Sequence, residues 1–452
     1  IVIVGAGKVG VALTRHLAVE NRVTVIDQNP HLVENIINIY DVMGVCGNGA
    51  SYDVQKEADV EQADLLIATT SSDEINILTC LVAKKMGVQH TIARIRSPEY
   101  GRQLRFMRSE LGLSMAINPE AATAREIARV LRFPTAMKLE SFSKGRLELV
   151  EYRVAEHTAL DGTRLSELYR NFKVRVLICA VARQGETIIP SGDFTLRAGD
   201  KIYLTAAPRE LEKFFRLLGV FRARASAVMI VGASNMCYYL ASELLEMGMS
   251  VKIIDQNEQR CVEMSEKLPR ALVIVGDGTD SELLSEEGIS QTDAFVAITG
   301  LDEANILMAL SAAKQSGDCC KVVAKINRKP LVDLVSNEGM IDSTISAWEV
   351  TTELIVQYVR AMESASGAGI KTLHRLVGGS VEALEFSVGE QAPFLGVPLK
   401  DLQLKSGILL AGIVRRNGRI VIPSGGDVLE AMDDVIVVTT DTRLQNLHDI
   451  FL

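Results

Sequence analysis

Short, densely apolar runs alternate along this chain with longer stretches in which apolar residues recur every three or four positions. From the amino end, the apolar runs are Ile1–Val4, Val23–Ile26, Val42–Cys46, Leu65–Ala68 and Thr91–Ile95. Helical spacing covers Val9–Val19, Leu32–Ile39, Val54–Ala58, Glu74–Met86 and, further on, Ala121–Leu131. Runs that are apolar throughout suit strands buried on both faces. Their alternation with helices predicts βαβ units around a parallel sheet. Beyond Phe133-Pro134 the pattern changes. Strand-like segments follow one another directly, with turn residues at Gln184-Gly185 and Asn417-Gly418, and Pro208–Leu218 reads as a closing helix. That pattern predicts a small α+β lobe.

Both patterns occur twice. IVIVGAGKVG is matched about 228 residues on by VMIVGASNMC, VTVIDQNP by VKIIDQNE, and VCGNGASYDV by IVGDGTDSEL. LLIATTSSDEINIL is matched by AFVAITGLDEANIL and IARIRS by VAKINR. In the α+β segments LVEYRV is echoed by ALEFSV, and ETIIPSGDFTLRAGDKIYLT by GRIVIPSGGDVLEAMDDVIVVT. Order and spacing are kept throughout, which marks a duplicated unit. The expected fold class is α/β: two tandem Rossmann-like, doubly wound parallel-sheet domains, each followed by a small α+β lobe. The expected segments are 1–133, 134–222, 223–363 and 364–452, with boundaries near Phe133-Pro134, Ala223–Ala225 and the small-residue stretch Ser364–Gly369.

Composition narrows the function classes. A net charge of −9 argues against a nucleic-acid partner, because neutralising phosphates needs clustered Lys and Arg. The seven cysteines form no CxxC pair, and Cys319 and Cys320 are adjacent, so reduced thiols of a cytosolic protein are expected. The longest apolar runs, such as Val176–Ala182 and Ile408–Val414, fall far short of the ~20 residues that span a bilayer. Action at a membrane would therefore be that of a peripheral subunit.

The candidate chemistry lies in the first repeat. Gly5, Gly7 and Gly10 follow an apolar run and open a helix, with Ala6, Lys8 and Val9 between them. Gly5 permits the tight turn, Gly7 lets a phosphate approach bare backbone, and Gly10 packs helix on strand. The first amides of the helix then face an anion. Asp27 stands about twenty residues on, at the tip of the second strand, and is followed by Gln28 rather than an arginine. A carboxylate there accepts ribose hydroxyls and disfavours a 2′-phosphate, so the expected ligands are NAD(H), ATP or ADP. Loops at the same sheet edge supply Asn48 and Gly49 for the adenosine, and Thr69, Thr70 and Ser71 for phosphate or a second ribose. Arg94 and Arg96 would neutralise terminal phosphates.

The second repeat diverges. Gly232, Asp255 and Gln256 remain, Asp277 and Gly278 stand where Asn48 and Gly49 do, and Thr299 keeps its place. Ser234, Asn235, Met236 and Cys237 replace the rest of the glycine loop. A side chain at Ser234 crowds the place where a pyrophosphate needs backbone, so weaker or different binding is expected there.

IVIVGAGKVG, IDQNP, TSSDEINIL, IARIRSPEY and the doubling of the whole unit resemble the TrkA family, the peripheral nucleotide-binding subunits of Trk potassium uptake systems. Their units, called RCK or KTN domains, join a Rossmann lobe to a TrkA-C lobe. The resemblance implies a homo-oligomeric, usually tetrameric, gating ring on the inner face of the cell membrane. It also implies an integral-membrane potassium channel or transporter as partner, gated by NAD(H), ATP and ADP. Carried onto this chain, Gly5, Gly7, Gly10 and Asp27 are ligand contacts and Arg94 or Arg96 meets ATP phosphates. Helices Ala121–Leu131 and Val350–Val359 resemble the family's subunit-crossing helix. The GASNMC loop departs from the glycine-rich second loop expected of the family.

No enzyme is expected. The α+β lobes are small for a catalytic domain, the six histidines show no catalytic or metal-ligand spacing, and there is no GxxxxGK[ST]. Two readings stand beside the transport regulator: a soluble adenosine-nucleotide sensor acting on another protein, and an NAD-dependent oxidoreductase.

Overall fold

The computed structural model describes residues 1–97, 100, 111–221, 224–317, 320–338, 341–363, 370–441 and 444–452. Cys319, Pro98-Glu99 of IARIRSPEY, Ala223 and the expected linker Ser364–Gly369 lie outside the described residues.

The first repeat opens with β1 (Val2–Val4), β2 (Thr24–Asp27), β3 (Met43–Cys46), β4 (Leu65–Ala68), β5 (His90–Arg94) and β6 (Met115–Ile117). All pair in parallel, in the order β3-β2-β1-β4-β5-β6. Every residue of the central β1 and β4 is buried, while β3 at the edge is partly exposed. The chain order reverses between β1 and β4, and loops leaving the carboxyl ends of these strands flank the crevice where open α/β sheets take ligands. Helix Pro30–Tyr40 starts where the sequence directs: the Asn29 side chain accepts the His31 amide and proline fills the first turn.

The first α+β lobe holds β7 (Lys138–Phe142), β8 (Leu147–Arg153), β9 (Leu177–Arg183), β10 (Glu186–Ile188) and β11 (Lys201–Ala206). They form one antiparallel sheet, ordered β10-β9-β11-β8-β7, closed by helix Pro208–Leu217. Phe214 and Phe215 of that helix are fully buried in the lobe's core.

The second repeat copies both parts. β12 (Ala227–Val231), β13 (Ser250–Asp255), β14 (Leu272–Val275), β15 (Ala294–Ala297), β16 (Lys321–Lys325) and β17 (Ser343–Ile345) make a parallel sheet of the same order. β18 (Ile370–Leu376), β19 (Val381–Ser387), β20 (Ile408–Val414), β21 (Ile420–Val421) and β22 (Asp434–Thr439) copy the antiparallel one. The bulges coincide as well, with Cys179 skipped in one ladder and Ala411 in the other. The lobes end differently. A 3₁₀ turn at Leu447–Ile450 stands where the first lobe has its closing helix.

The compact units do not follow chain order. One combines Ile1–Ala128 with Ala225–Val356, so it holds both parallel sheets. The other combines Arg129–Arg224 with Gln357–Leu452 and holds both antiparallel sheets. Their limits fall within helices Pro119–Arg132 and Ala347–Glu363 and near residue 224. In the first unit the amide of Asn118 donates to the Tyr239 hydroxyl at 3.0 Å, linking the two Rossmann lobes. In the second, Phe142, Leu149, Ala180 and Tyr203 of one α+β lobe share a core with Leu376, Ala383, Ala411 and Ile436 of the other.

Candidate functional site

β1 ends at Val4, and Gly5 turns the chain at φ +105°, a conformation open to glycine and strained for other residues. The next amide, of Ala6, donates to Asp27 Oδ2 at 2.6 Å, and the Asn29 amide donates to Oδ1 at 2.8 Å. Asp27 thus ties the glycine loop to the end of β2. Each carboxylate oxygen offers more than one lone pair, so the partly exposed group can still accept hydroxyls. A Cβ on Gly10 would lie 1.8 Å from the Gly5 carbonyl, which is why helix Lys8–Leu17 can start hard against the loop. Gly7 is the opposite case. It is exposed, a Cβ there would meet nothing within 4 Å, and as N-cap it leaves the first helical amides without a side-chain cap. Space and uncapped donors together suit an anion.

The neighbouring loops divide into supports and free groups. Thr69 is buried, and its hydroxyl donates to the carbonyls of Val4 and Gly5 at 3.2 and 3.4 Å. Val9 is also buried. These two leave backbone, not side chain, for a ligand. Gly49 is needed for packing, since a Cβ would come 2.1 Å from Val4 Cγ1. Asn48 is exposed and accepts the Ala50 amide at 3.1 Å, with its amide group free to donate. Lys8, Gln28 and Ser71 are exposed, and Thr70 is half-buried.

Two residues that the sequence reading passed over hold this edge together. Asn76, fully buried, accepts the Thr70 amide and hydroxyl at 2.8 and 2.7 Å and donates to the carbonyls of Thr70 and Arg94. Asp73 accepts the amides of Arg96 and Ser97. Asn305 and Asp302 do the same in the second repeat, with Thr299, Lys325, Asn327 and Arg328. The signal was visible as the doubled T-x-x-D-E-x-N spacing.

Arg94 and Arg96 leave the same edge with different fates. Arg96 Nε donates to Glu120 at 2.7 Å, and the arginine side chain is nearly half exposed, so this pair adds at most ~1 kcal/mol. Arg94 is half-buried, and its Nε has no hydrogen-bond partner. Burial and then the Arg96 charge push its pKa down, against the pull of Glu120 and Asp73. An anion would relieve both effects.

In the second lobe, Gly232 turns at φ +112° and Asp255 accepts the amides of Ala233 and Asn257 at 2.7 and 2.8 Å. The phosphate position differs. The Ser234 hydroxyl accepts the Cys237 amide, so the chain caps with its own side chain a helix end that is left open in the first lobe. Met236 and Cys237 are buried, and Asn235 and Gln256 are exposed. Asp277 is held below its ordinary pKa by the amide and hydroxyl of Thr279, and Gly278 lies against Val231.

The TrkA-N domain model matches residues 1–119 and 228–347, and the TrkA-C domain model matches 149–219 and 383–452. The chain belongs to the TrkA family. A TrkA relative in Archaeoglobus fulgidus, "Trk system potassium uptake protein TrkA homolog", is 32% identical over all of this chain and 99% of its own length. "Trk system potassium uptake protein TrkA" of Halomonas elongata is 33% identical over 98% of this chain and 94% of its own. Among solved structures, "GsuK channel bound to NAD" aligns with a TM-score of 0.61 at 20% identity, covering 97% of this chain and 76% of that one. That likeness concerns the fold. Among the described residues, no helix is long and apolar enough to cross a membrane.

Proposed function

We propose that this chain is a nucleotide-sensing regulatory subunit of a membrane potassium uptake system, responding to NAD(H), ATP or ADP in its first Rossmann lobe. The observation that carries the reading is the first glycine loop. Gly7 has open space where phosphate would sit, the helix end is uncapped, and Asp27 stands beside the loop at the end of β2. Full-length relatives bearing the name of a potassium uptake protein supply the partner class.

In this reading a bound nucleotide supplies anionic phosphates and ribose hydroxyls. The amides of the first helical turn and Arg94 meet the anion, and Asp27 meets hydroxyls of the ribose. Asn76 and Asp73 hold the β4 and β5 loops so that Thr70, Arg94 and Arg96 stay at the rim. A ligand shifts a conformational equilibrium only through unequal affinity for the two states. ATP and ADP differ by one phosphate. Arginines that reach it in one shape of a homo-oligomeric, tetrameric ring would select that shape and act on the pore subunit at the inner membrane face. The second lobe, capped by Ser234, contributes a weaker or different site.

Calorimetry of NAD, NADH, ATP and ADP against the full chain and its Gly7→Ala variant tests the site; binding insensitive to Gly7 would sink it. Potassium flux through the co-expressed transporter tests the regulation. Arg94→Ala or Arg96→Ala should abolish the difference between ATP and ADP, and an unchanged response would count against the mechanism.

A further inference from the structure

Glu140 and His374 occupy the same place in their two α+β lobes. Glu140 lies opposite Leu149 of β8, His374 lies opposite Ala383 of β19, and KLESFSKG aligns with TLHRLVGG. These equivalent residues touch, with His374 Nδ1 2.8 Å from Glu140 Oε2. His374 Nε2 lies 3.2 Å from the Ser141 carbonyl, so both ring nitrogens face acceptors, as in a protonated imidazole. A position that meets its own repeat-mate sits on a local two-fold axis. In a pair of identical lobes it would meet itself.

Two further links run from a hydroxyl of the first lobe to an acceptor of the second, beside an exposed hydroxyl pair, Thr187 and Ser380, at 3.1 Å. The Ser143 hydroxyl donates to Glu385 at 2.6 Å, with its amide adding a second bond at 3.3 Å. The reciprocal positions are Val377 and Glu151, and valine has no hydroxyl. The Thr205 hydroxyl donates to the Ala411 carbonyl at 2.8 Å; its mate is Val438. The flanks differ in the same sense. Glu140 has Lys138 at 3.0 Å and Arg129 at 3.5 Å, whereas the matching positions beside His374 are Thr372 and Gln357. Ser143 and Val377 share a left-handed conformation, φ +49° and +50°, so the two turns place these side chains at equivalent points.

We propose that Glu140, Ser143, His374 and Glu385 make this surface heterospecific, so that a first TrkA-C lobe accepts a second one and refuses a copy of itself. Two first lobes would press Glu140 on Glu140, and two buried carboxylates in contact cannot both stay ionised. Two second lobes would set each buried Glu385 against Val377, without the hydroxyl donor it has here. Each like pairing fails for its own reason, while the unlike pairing satisfies both acids. The duplication has thereby turned a self-complementary face into a matched pair.

The test uses the full chain, with amide hydrogen exchange read over β7 and β18. His374→Glu should raise exchange in both strands, and His374→Gln, which adds no like charge, should raise it less. Glu140→His places a second imidazole beside His374, Lys138 and Arg129, so its exchange should climb from pH 8 to pH 6, where wild type shows no such climb. The double exchange E140H/H374E should regain most of the protection lost by H374E. Equal losses for H374E and H374Q, a pH-independent E140H, or a double variant no better protected than H374E would each overturn the proposal.

Discussion

Asp27 accepts the amide of Ala6 at 2.6 Å, and Asp255 repeats the contact with Ala233 at 2.7 Å. The acid expected to read a ribose therefore also anchors the glycine loop. Asp27→Ala would leave the Ala6 and Asn29 amides without that acceptor, and we predict a loss of about 1–3 kcal/mol in stability together with nucleotide binding. Thermal unfolding and calorimetry on the same sample check this. Lost binding with unchanged unfolding would mean that the anchoring role is wrong.

Gly7 and Gly10 should respond oppositely to alanine. At Gly7 a methyl meets open space, so Gly7→Ala should fold and unfold like wild type while losing affinity for nucleotide. At Gly10 it would sit 1.8 Å from the Gly5 carbonyl, so Gly10→Ala must displace the helix and should cost roughly 1–3 kcal/mol or more. Similar unfolding temperatures for the two variants would contradict the geometry.

Ser234→Gly removes the hydroxyl that caps helix Asn235–Glu246 and restores the glycine of the first repeat. Glycine at an N-cap costs only a few tenths of a kcal/mol. We predict a small stability change and tighter or additional nucleotide binding, visible as raised stoichiometry in calorimetry. No gain in either would show that Ser234 is not what distinguishes the second lobe.

The junction of the two TrkA-C lobes should have a bounded pH range. Burial pushes the Glu140 carboxyl up and the His374 ring down, but the opposite charges of the pair and their hydrogen bond together outweigh it, helped by Lys138 and Arg129 at Glu140 and by the Ser141 carbonyl at His374. Glu140 therefore titrates below its ordinary 4.5 and His374 above its ordinary 6.5. The lowered acid contributes stability above pH 4.5 that is lost as pH falls through its folded value. The raised histidine contributes stability below pH 6.5 that is lost as pH rises through its folded value. Stability of this unit should peak between those limits, and His374→Gln should remove the decline on the alkaline side. An unaltered alkaline limb in that variant would refute the assignment.

Much of the site was legible because its requirements are local. A positive φ at Gly5, a backbone that must clear Gly10, and an acid at a strand tip are each written in a few adjacent residues. Asn76 and Asp73 were harder to see. Inside a helix pattern an Asn or Asp reads as surface, and only the folded chain shows that they bond to strand ends up to 24 residues away. Thr69 is the converse: it reads as a phosphate contact, and its hydroxyl is turned to the strand beneath it.

The sequence by itself determined the duplication, the two sheet types, the glycine loops and the imbalance between them, because apolar period and glycine placement are properties of short segments. Tertiary structure alone decided which lobes pair. Rossmann lobe sits with Rossmann lobe and α+β lobe with α+β lobe, through contacts such as His374 to Ser141, 233 residues apart. A contact between repeat-mates leaves no periodic trace in the chain. It depends on two faces being complementary in space, which local pattern does not encode.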